Sequence, residues 1–297
     1  MERKRRVVLL FCMLFFVGMV GPCLGVAEEA EKAKEGAASE RGYDDNWHFL
    51  FYLPAWLPAF SGDVKAKGVT VPVHVGYIEQ LENLVHFVDS IAFGHLEINK
   101  GRWVLLLEGV WGQFTENEHS FRSIKIPIVA PVEIPAAVQS KVTVAELIAE
   151  GSLLYAVYRS DSMIKNQPVL TVEALAGARN LYFKTEATVG VITPLGVFGR
   201  AVDNRIAWVD PIIGGRLLWN LSDRWLAGFR ADVGGFGLVS QFTLNLDAFV
   251  VYRANKWLRF MGGFRGLYED HHGGSGSDKF VYKMWMYAPW LGAGAAF

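Results

Sequence analysis

The sequence predicts an all-β fold, a transmembrane antiparallel β-barrel, on two main observations. Between residues 207 and 268 the text WVDPIIGGRLLWNLSDRWLAGFRADVGGFG, followed by FTLNLDAFVVYRANKWLRFMGGFRGLY, reads as four consecutive strands. In each, an apolar or aromatic series alternates with a series mixing Gly, Asp, Asn and Arg, and aromatics gather at the strand ends, which is the pattern of a barrel wall in a bilayer. The second observation is compositional. Hydrophobic residues make up 52% and aromatics 13% of the chain, yet past the N-terminus no run of about 18 uncharged apolar residues exists, as a membrane helix would require.

Taken in order, residues 2–6 (ERKRR) form a basic n-region and residues 7–20 an apolar h-region, and Gly25, Val26 and Ala27 supply small residues for cleavage. Residues 1–27 therefore read as a secretory signal peptide. An uncleaved anchor is the alternative, while Pro22 before Cys23 suits a lipoprotein site poorly. Both cysteines, Cys12 and Cys23, fall inside this segment. The mature chain then has no thiol for disulfide, metal or redox chemistry. Removing the segment takes away a net three positive charges, so the formal −1 becomes −4. A mildly acidic chain carries no electrostatic footprint for nucleic acid. Residues 28–45, charged and small, read as a flexible periplasmic linker, and residues 46–297 as the barrel.

The barrel starts at Trp47 with WHFLFYLPAWLPAF, whose Pro54 and Pro58 suit a strand end or edge. Residues 61–86 are expected to form an outer loop carrying a short amphipathic helix in YIEQLENLVHF. Strands follow at 88–98, 102–115, 142–158 and 169–188, separated by a turn at 99–101, a Pro-punctuated outer loop at 116–140 and a turn near 160–167. A further outer loop at 190–204 leads into the four strands of the 207–268 stretch. The last strand follows an outer loop at 269–278 and ends at Phe297. With both termini periplasmic and long loops outside, the parity closes at ten strands. Eight and twelve are the alternatives, twelve if 62–72 pairs as an extra strand.

Phase follows from the aromatic series. Trp225, Ala227, Phe229, Ala231 and Val233 face lipid, and so do Phe242, Leu244, Leu246, Ala248 and Val250. The lumenal charged set is then Glu97, Glu108, Glu146, Glu150, Glu173, Arg179, Asp210, Arg216, Arg230, Asp232, Asp247, Arg259 and Arg265, with His95 and Asn245 beside it. An Arg on the lipid face near the midplane costs roughly 2–4 kcal/mol. Reversing the phase of Arg230 and Arg265 would thus cost about 4–8 kcal/mol, comparable with the roughly 5–15 kcal/mol that holds a domain together. Interior charge must be paired, so the expected lumen is an ion-pair network with a few waters. Trp47, Trp103, Trp219, Trp225 and Trp257 read as aromatics of the membrane interface.

The stretch WVDPIIGGRLLWNLSDRWLAGFRADVGGFG, with FGHLEINKGRW, EALAGARNLYF and the opening WHFLFYLPAWLPAFSGDV, resembles a widespread family of uncharacterised outer-membrane β-barrel proteins of Gram-negative bacteria. The resemblance covers most of residues 46–297. It implies a barrel in the cell outer membrane, in contact with outer-membrane lipids, and Phe297 as the C-terminal insertion signal read by the barrel-assembly machinery. It implies no substrate, cofactor or catalytic residue. The small Ala293 and Ala295 in the terminal WLGAGAAF depart from the bulkier groups common there.

The functional expectation is an outer-membrane barrel without catalytic activity, a narrow porin-like pore or a small-ligand-binding barrel. The alternatives are a lipid-modifying outer-membrane enzyme, or a soluble secreted lipocalin-like binding protein. His271 and His272, beside Asp270 and near Ser275, are the candidate residues for catalysis or for a surface metal. Their flexible Gly/Ser surroundings argue against the fixed geometry that catalysis or a metal cage needs. No ring of like charge, as a selectivity filter would require, is visible. Gly234-Gly235-Phe236-Gly237 lacks the Lys and the strand–loop–helix context of a phosphate loop; small residues in a barrel wall account for it.

Overall fold

The computed structural model describes residues 45–66, 69–76, 88–128, 130–164, 167–193, 196–275 and 279–297. The signal peptide, nearly all of the linker and the expected helix in YIEQLENLVHF lie outside the described residues. No helix occurs among the described residues. The strands are β1 (Trp47–Trp56), β2 (Ala59–Ala66), β3 (Val69–Val75), β4 (Val88–Lys100), β5 (Trp103–Ile128), β6 (Ala130–Arg159), β7 (Met163–Ile164), β8 (Gln167–Pro168), β9 (Leu170–Thr193), β10 (Gly196–Asn220), β11 (Trp225–Gly234), β12 (Ser240–Arg253), β13 (Leu258–Gly273) and β14 (Phe280–Ala296). The short β7 and β8 pair with each other inside the connection from β6 to β9.

Ten strands close into an antiparallel barrel in the order β1, β4, β5, β6, β9, β10, β11, β12, β13, β14, and β14 returns to β1. Closure gives every strand of the ring a paired neighbour on both sides. Phe297 completes it: Phe49 N donates to Phe297 O at 3.0 Å, and Phe297 N donates to Phe49 O at 2.9 Å.

Residues 59–66 and 69–75, expected in an outer loop, instead form the paired strands β2 and β3. β2 lies on β14 in the register that β1 uses, with Trp56 opposite Trp290 and Ala59 opposite Tyr287. β1 and β2 are thus one line interrupted at Leu57-Pro58, where proline withdraws a donor. β2 and β3 widen the sheet to twelve strands while the closed ring stays at ten.

Three other expected loops are strand. The ladder of β5 and β6 runs unbroken from Trp103–Tyr155 to Ile128–Ala130, so 116–128 and 130–140 are the two arms of a hairpin. β6 meets β9 only from Ala137 onward. Pro127, Pro131 and Pro135 therefore sit where one edge of the ribbon is free, and a missing donor is tolerated there. The β9–β10 ladder likewise reaches Thr193–Gly196, taking up 190–193 and 196–204. β13 continues to Gly273 against Phe280, which takes residues 269–273 out of the expected loop.

By contrast β11 and β12 are joined by a short turn at residues 235–239. Gly235, Phe236 and Gly237 there have φ values of 78°, 52° and 70°. Three left-handed residues in succession explain the glycines, so Gly235 and Gly237 serve the turn rather than the wall. The barrel is consequently tall on the β5–β10 side and low at β11–β12.

Candidate functional site: the barrel interior

Alternation along each strand sends one series inward. On β11 Arg230 and Asp232 are buried while Trp225 and Phe229 are exposed, and on β12 Thr243 and Asn245 are buried while Phe242 and Leu246 are exposed. The outward series forms an apolar belt that includes Leu153, Ile213, Phe260 and Phe264. Aromatics edge the belt. At the end of the short turns, Trp103 stacks tilted on Tyr155 at 4.7 Å, Trp225 on Tyr252 at 4.8 Å, and Lys100 Nζ lies 4.9 Å over the Trp47 ring. Trp219 and Trp257 are exposed at the same end. All five tryptophans singled out from the sequence belong to this one rim. The opposite rim carries Phe242, Tyr268 and Trp285, with centroids 6.3 and 4.9 Å apart.

Inside, nine of the residues expected in the lumen join in one bonded chain, bridged by His95 and Asn245. Arg179 is fully buried; its Nη2 donates to Asp232 Oδ1 at 2.6 Å and to Glu150 Oε2 at 3.0 Å. Arg230 donates to Glu150 and, through Nε, to Asp232 Oδ2 at 3.0 Å. Asn245 links Asp232 to Arg265 at 2.9 Å on either side, and Arg265 reaches Glu108. His95 then bridges Glu108 (Nδ1, 3.1 Å) and Glu97 (Nε2, 3.2 Å). Arg216 ends the chain, donating to Glu97 Oε1 at 2.7 Å and Glu173 Oε2 at 2.6 Å. His95 thus has a carboxylate within hydrogen-bond distance of each ring nitrogen. Four guanidiniums and His95 stand against Glu97, Glu108, Glu150, Glu173 and Asp232, and Glu269 lies 3.9 Å from Arg179 Nη1.

The other four expected residues lie apart from this chain. Asp247 accepts from Trp290 Nε1 at 2.8 Å. Glu146 bonds Tyr282. Arg259 sits at the short-turn mouth, donating to the carbonyls of Asn255, Lys256 and Leu258. Asp210 belongs to a cluster above the outer aromatic rim. It accepts from Ser240 Oγ at 2.6 Å and Ser240 N at 2.9 Å, and Ser240 Oγ is 3.2 Å from His271 Nδ1.

The expectation of an ion-pair lumen holds for only part of the interior. Successive inward residues of β14, Tyr282, Met284, Met286, Ala288 and Trp290, are buried and form with Trp56, Trp208 and Leu267 the largest apolar cluster. Both faces of β14 are apolar in sequence from Met284 onward, so its phase carries no charge label there. Thr243 and Glu269, joined at 2.7 Å, extend the network to the upper rim. Their parity with Asn245 and Arg265 is the signal that finds them.

His271 and His272 do not form a pair. Lying on a strand, they point to opposite faces. His271 turns inward, stacked on Trp208 at 4.2 Å and 5°, and burial holds its ring below the usual histidine range. His272 turns outward to Asp270 at 2.9 Å. In the inner cluster Ser240 lies between Asp210 and His271, so the histidine does not bridge serine and acid as a nucleophile-activating triad requires. Among the described residues no group of three His, Cys, Asp or Glu could hold a metal ion.

A cavity of about 60 Å³ lies where the charged and apolar zones meet, behind β1 and β4.

Fold and interior define the class: a closed ten-stranded antiparallel barrel with an apolar exterior and a packed interior of mixed charge. No protein-family model and no curated protein matches the chain. Among solved structures, Ail, the attachment invasion locus protein of Yersinia pestis determined with the heparin analogue sucrose octasulfate, is similar at 11% identity and a TM-score of 0.27, over 86% of this chain and 100% of its own. The Pseudomonas putida toluene transporter TodX follows at 8% and 0.26, covering 89% and 94%. A Pseudomonas aeruginosa FadL homologue stands at 8% and 0.26, covering 86% and 90%. At such scores the fold reading rests on the chain's own ladders.

Proposed function

We propose that the protein is an integral outer-membrane β-barrel without catalytic activity, closed to ions by its interior and serving as a small-ligand-binding barrel. One observation carries the membrane reading: a closed barrel exposes a continuous apolar belt between two aromatic rims. From Trp257, just before β13, to Tyr268 is eleven residue steps, and at about 3.4 Å each with a tilt of about 40° this gives a height of roughly 25–30 Å. A hydrocarbon core has about that thickness. Exposed apolar area on this scale is foreign to a soluble monomer.

Binding is favoured over conduction because Arg179, Asp232 and Glu150 meet inside the lumen at hydrogen-bond distance and are buried. The absence of catalysis is supported by the divergence of His271 and His272. Outer-membrane lipids would contact the belt, and the β14 end at Phe297 would present the insertion signal to the assembly machinery. Membrane fractionation with heat-modifiable migration on detergent gels tests the location. Planar-bilayer recording tests the lumen: the reading expects no discrete ion steps, and regular unitary conductance would overturn closure.

A further inference from the structure

Pairing between β1 and β4 runs from Trp47–Lys100 to Tyr52–His95 and stops. Continuing that register would set Leu53 opposite Gly94, Ala55 opposite Ala92 and Trp56 opposite Ile91, but none of these pairs forms. The other edges stay zipped, β1 to β14 through Trp56–Trp290 and β4 to β5 through Ile91–Gly112. The wall therefore parts at mid-height, between the rim of Trp47 and the rim of Trp285. Unpaired backbone at hydrocarbon depth persists only where it is covered by protein or lines a wet cavity. The 60 Å³ cavity lies directly behind, lined from β1 by Tyr52, Pro54 and Trp56 and from β4 by His95.

Two buried donors lining this cavity have no acceptor: Trp56 Nε1 and Arg265 Nη2. Trp56 is 2% and Arg265 6% exposed, and the guanidinium lies 4.9 Å over the indole. Buried donors without partners are costly, so an oxygen acceptor is what the site lacks. The lining cations are already paired within the interior, Arg216 with Glu97 and Glu173, Arg230 with Glu150 and Asp232, and Arg265 with Glu108, while His95 lies between Glu97 and Glu108. A net charge on the ligand would go uncompensated. Phe249, Val251, Met261 and Trp290 supply apolar walls. At about 10–15 Å³ per water-sized position, the space takes a handful of non-hydrogen atoms.

We propose that this cavity binds a small neutral molecule, mostly apolar with one hydrogen-bond-accepting oxygen, such as a short-chain alcohol or ketone, reaching it sideways through the parting between β1 and β4. The proposal rests on the membrane-barrel reading above. Its test is titration of the folded full chain in detergent micelles with 1-butanol, following the ¹³C-methyl resonance of Met261. A saturable shift is expected, with half-saturation weakened about three- to tenfold in Trp56→Phe, which keeps the ring and removes the donor. A shift that is linear in butanol, or equal in Trp56→Phe, overturns the site.

The parting has its own test, since Cys12 and Cys23 are the chain's cysteines and both precede the barrel. Oxidation should join Phe49→Cys to Ile98→Cys, which are paired, and fail to join Ala55→Cys to Ala92→Cys. Equal oxidation of both pairs overturns sideways access. Failure of the membrane reading looks different: the chain would then be a monomer without detergent, whereas failure of the site leaves a detergent-dependent barrel that butanol does not saturate.

Discussion

Two sectors of the lumen solve the same problem by opposite means. Around β11 the inward series is charged, and Arg179, Arg230, Glu150 and Asp232 neutralise one another at hydrogen-bond distance. Around β14 the inward series is Tyr282, Met284, Met286, Ala288 and Trp290, which fill space by contact. Both sectors have the same strand geometry and the same apolar exterior. A barrel wall therefore dictates which residues point inward and leaves open what they must be, provided volume is filled and charge is paired.

The difference sets a ranking of expected losses. Glu150→Ala removes the carboxylate shared by Arg179 and Arg230 and should cost about 3–5 kcal/mol, read as a lower urea midpoint for loss of the heat-modifiable form. Met286→Ala, in the contact-filled sector, should cost about 2–4 kcal/mol through the cavity it leaves, while Met286→Leu should cost under about 1.5 kcal/mol. If Glu150→Ala proved as mild as Met286→Leu, the contrast between sectors would fail.

The boundary between the sectors is sharpened by Gly228, where an added Cβ would lie 2.2 Å from the Phe249 ring. Gly228→Ala should therefore cost about 1–3 kcal/mol by overpacking, and Phe249→Leu in the same chain should recover part of it. The smallest effect belongs to the outer rim. Burial lowers the pKa of His271, so the folded form favours the neutral ring. Its contribution is present above the unfolded value of about 6.5 and is lost as pH falls below it. His271→Gln should flatten the stability profile below about pH 6.5, and His272→Ala, at an exposed pair, should change stability by less than about 1 kcal/mol.

Charged residues at alternate positions made the β11 sector legible in the sequence. Arg230 and Asp232 share parity, Asn245 and Asp247 share it one strand on, and opposed strands pair in register. β14 offered no such label, because VYKMWMYAPWL is apolar on both faces through its middle. Its role as the apolar half of the lumen emerges only when Trp56, Trp208 and Leu267 come against it. The arms at 116–140 and 190–204 were hidden for another reason. Pro127, Pro131 and Pro135 read as loop punctuation, since whether a strand edge is free is a property of its neighbours. His271 and His272 read as one motif because adjacency in a loop keeps residues together, while a strand drives them apart.

The parting of β1 from β4 was likewise invisible. Pro54 and Pro58 mark the region as poor in donors, but only the register shows that pairing ends at Tyr52 and His95.

Because β14 carries no charge between Met284 and Ala296 to fix its phase, it offers the most direct measurement of the central claim, that an apolar exterior meets hydrocarbon around a closed, packed lumen. Spin labels placed singly at residues 284–291 in lipid vesicles should show collision with dissolved oxygen rising at Trp285, Tyr287, Pro289 and Leu291 and falling at Met284, Met286, Ala288 and Trp290. Collision without period two, or with the even positions facing lipid, would contradict it.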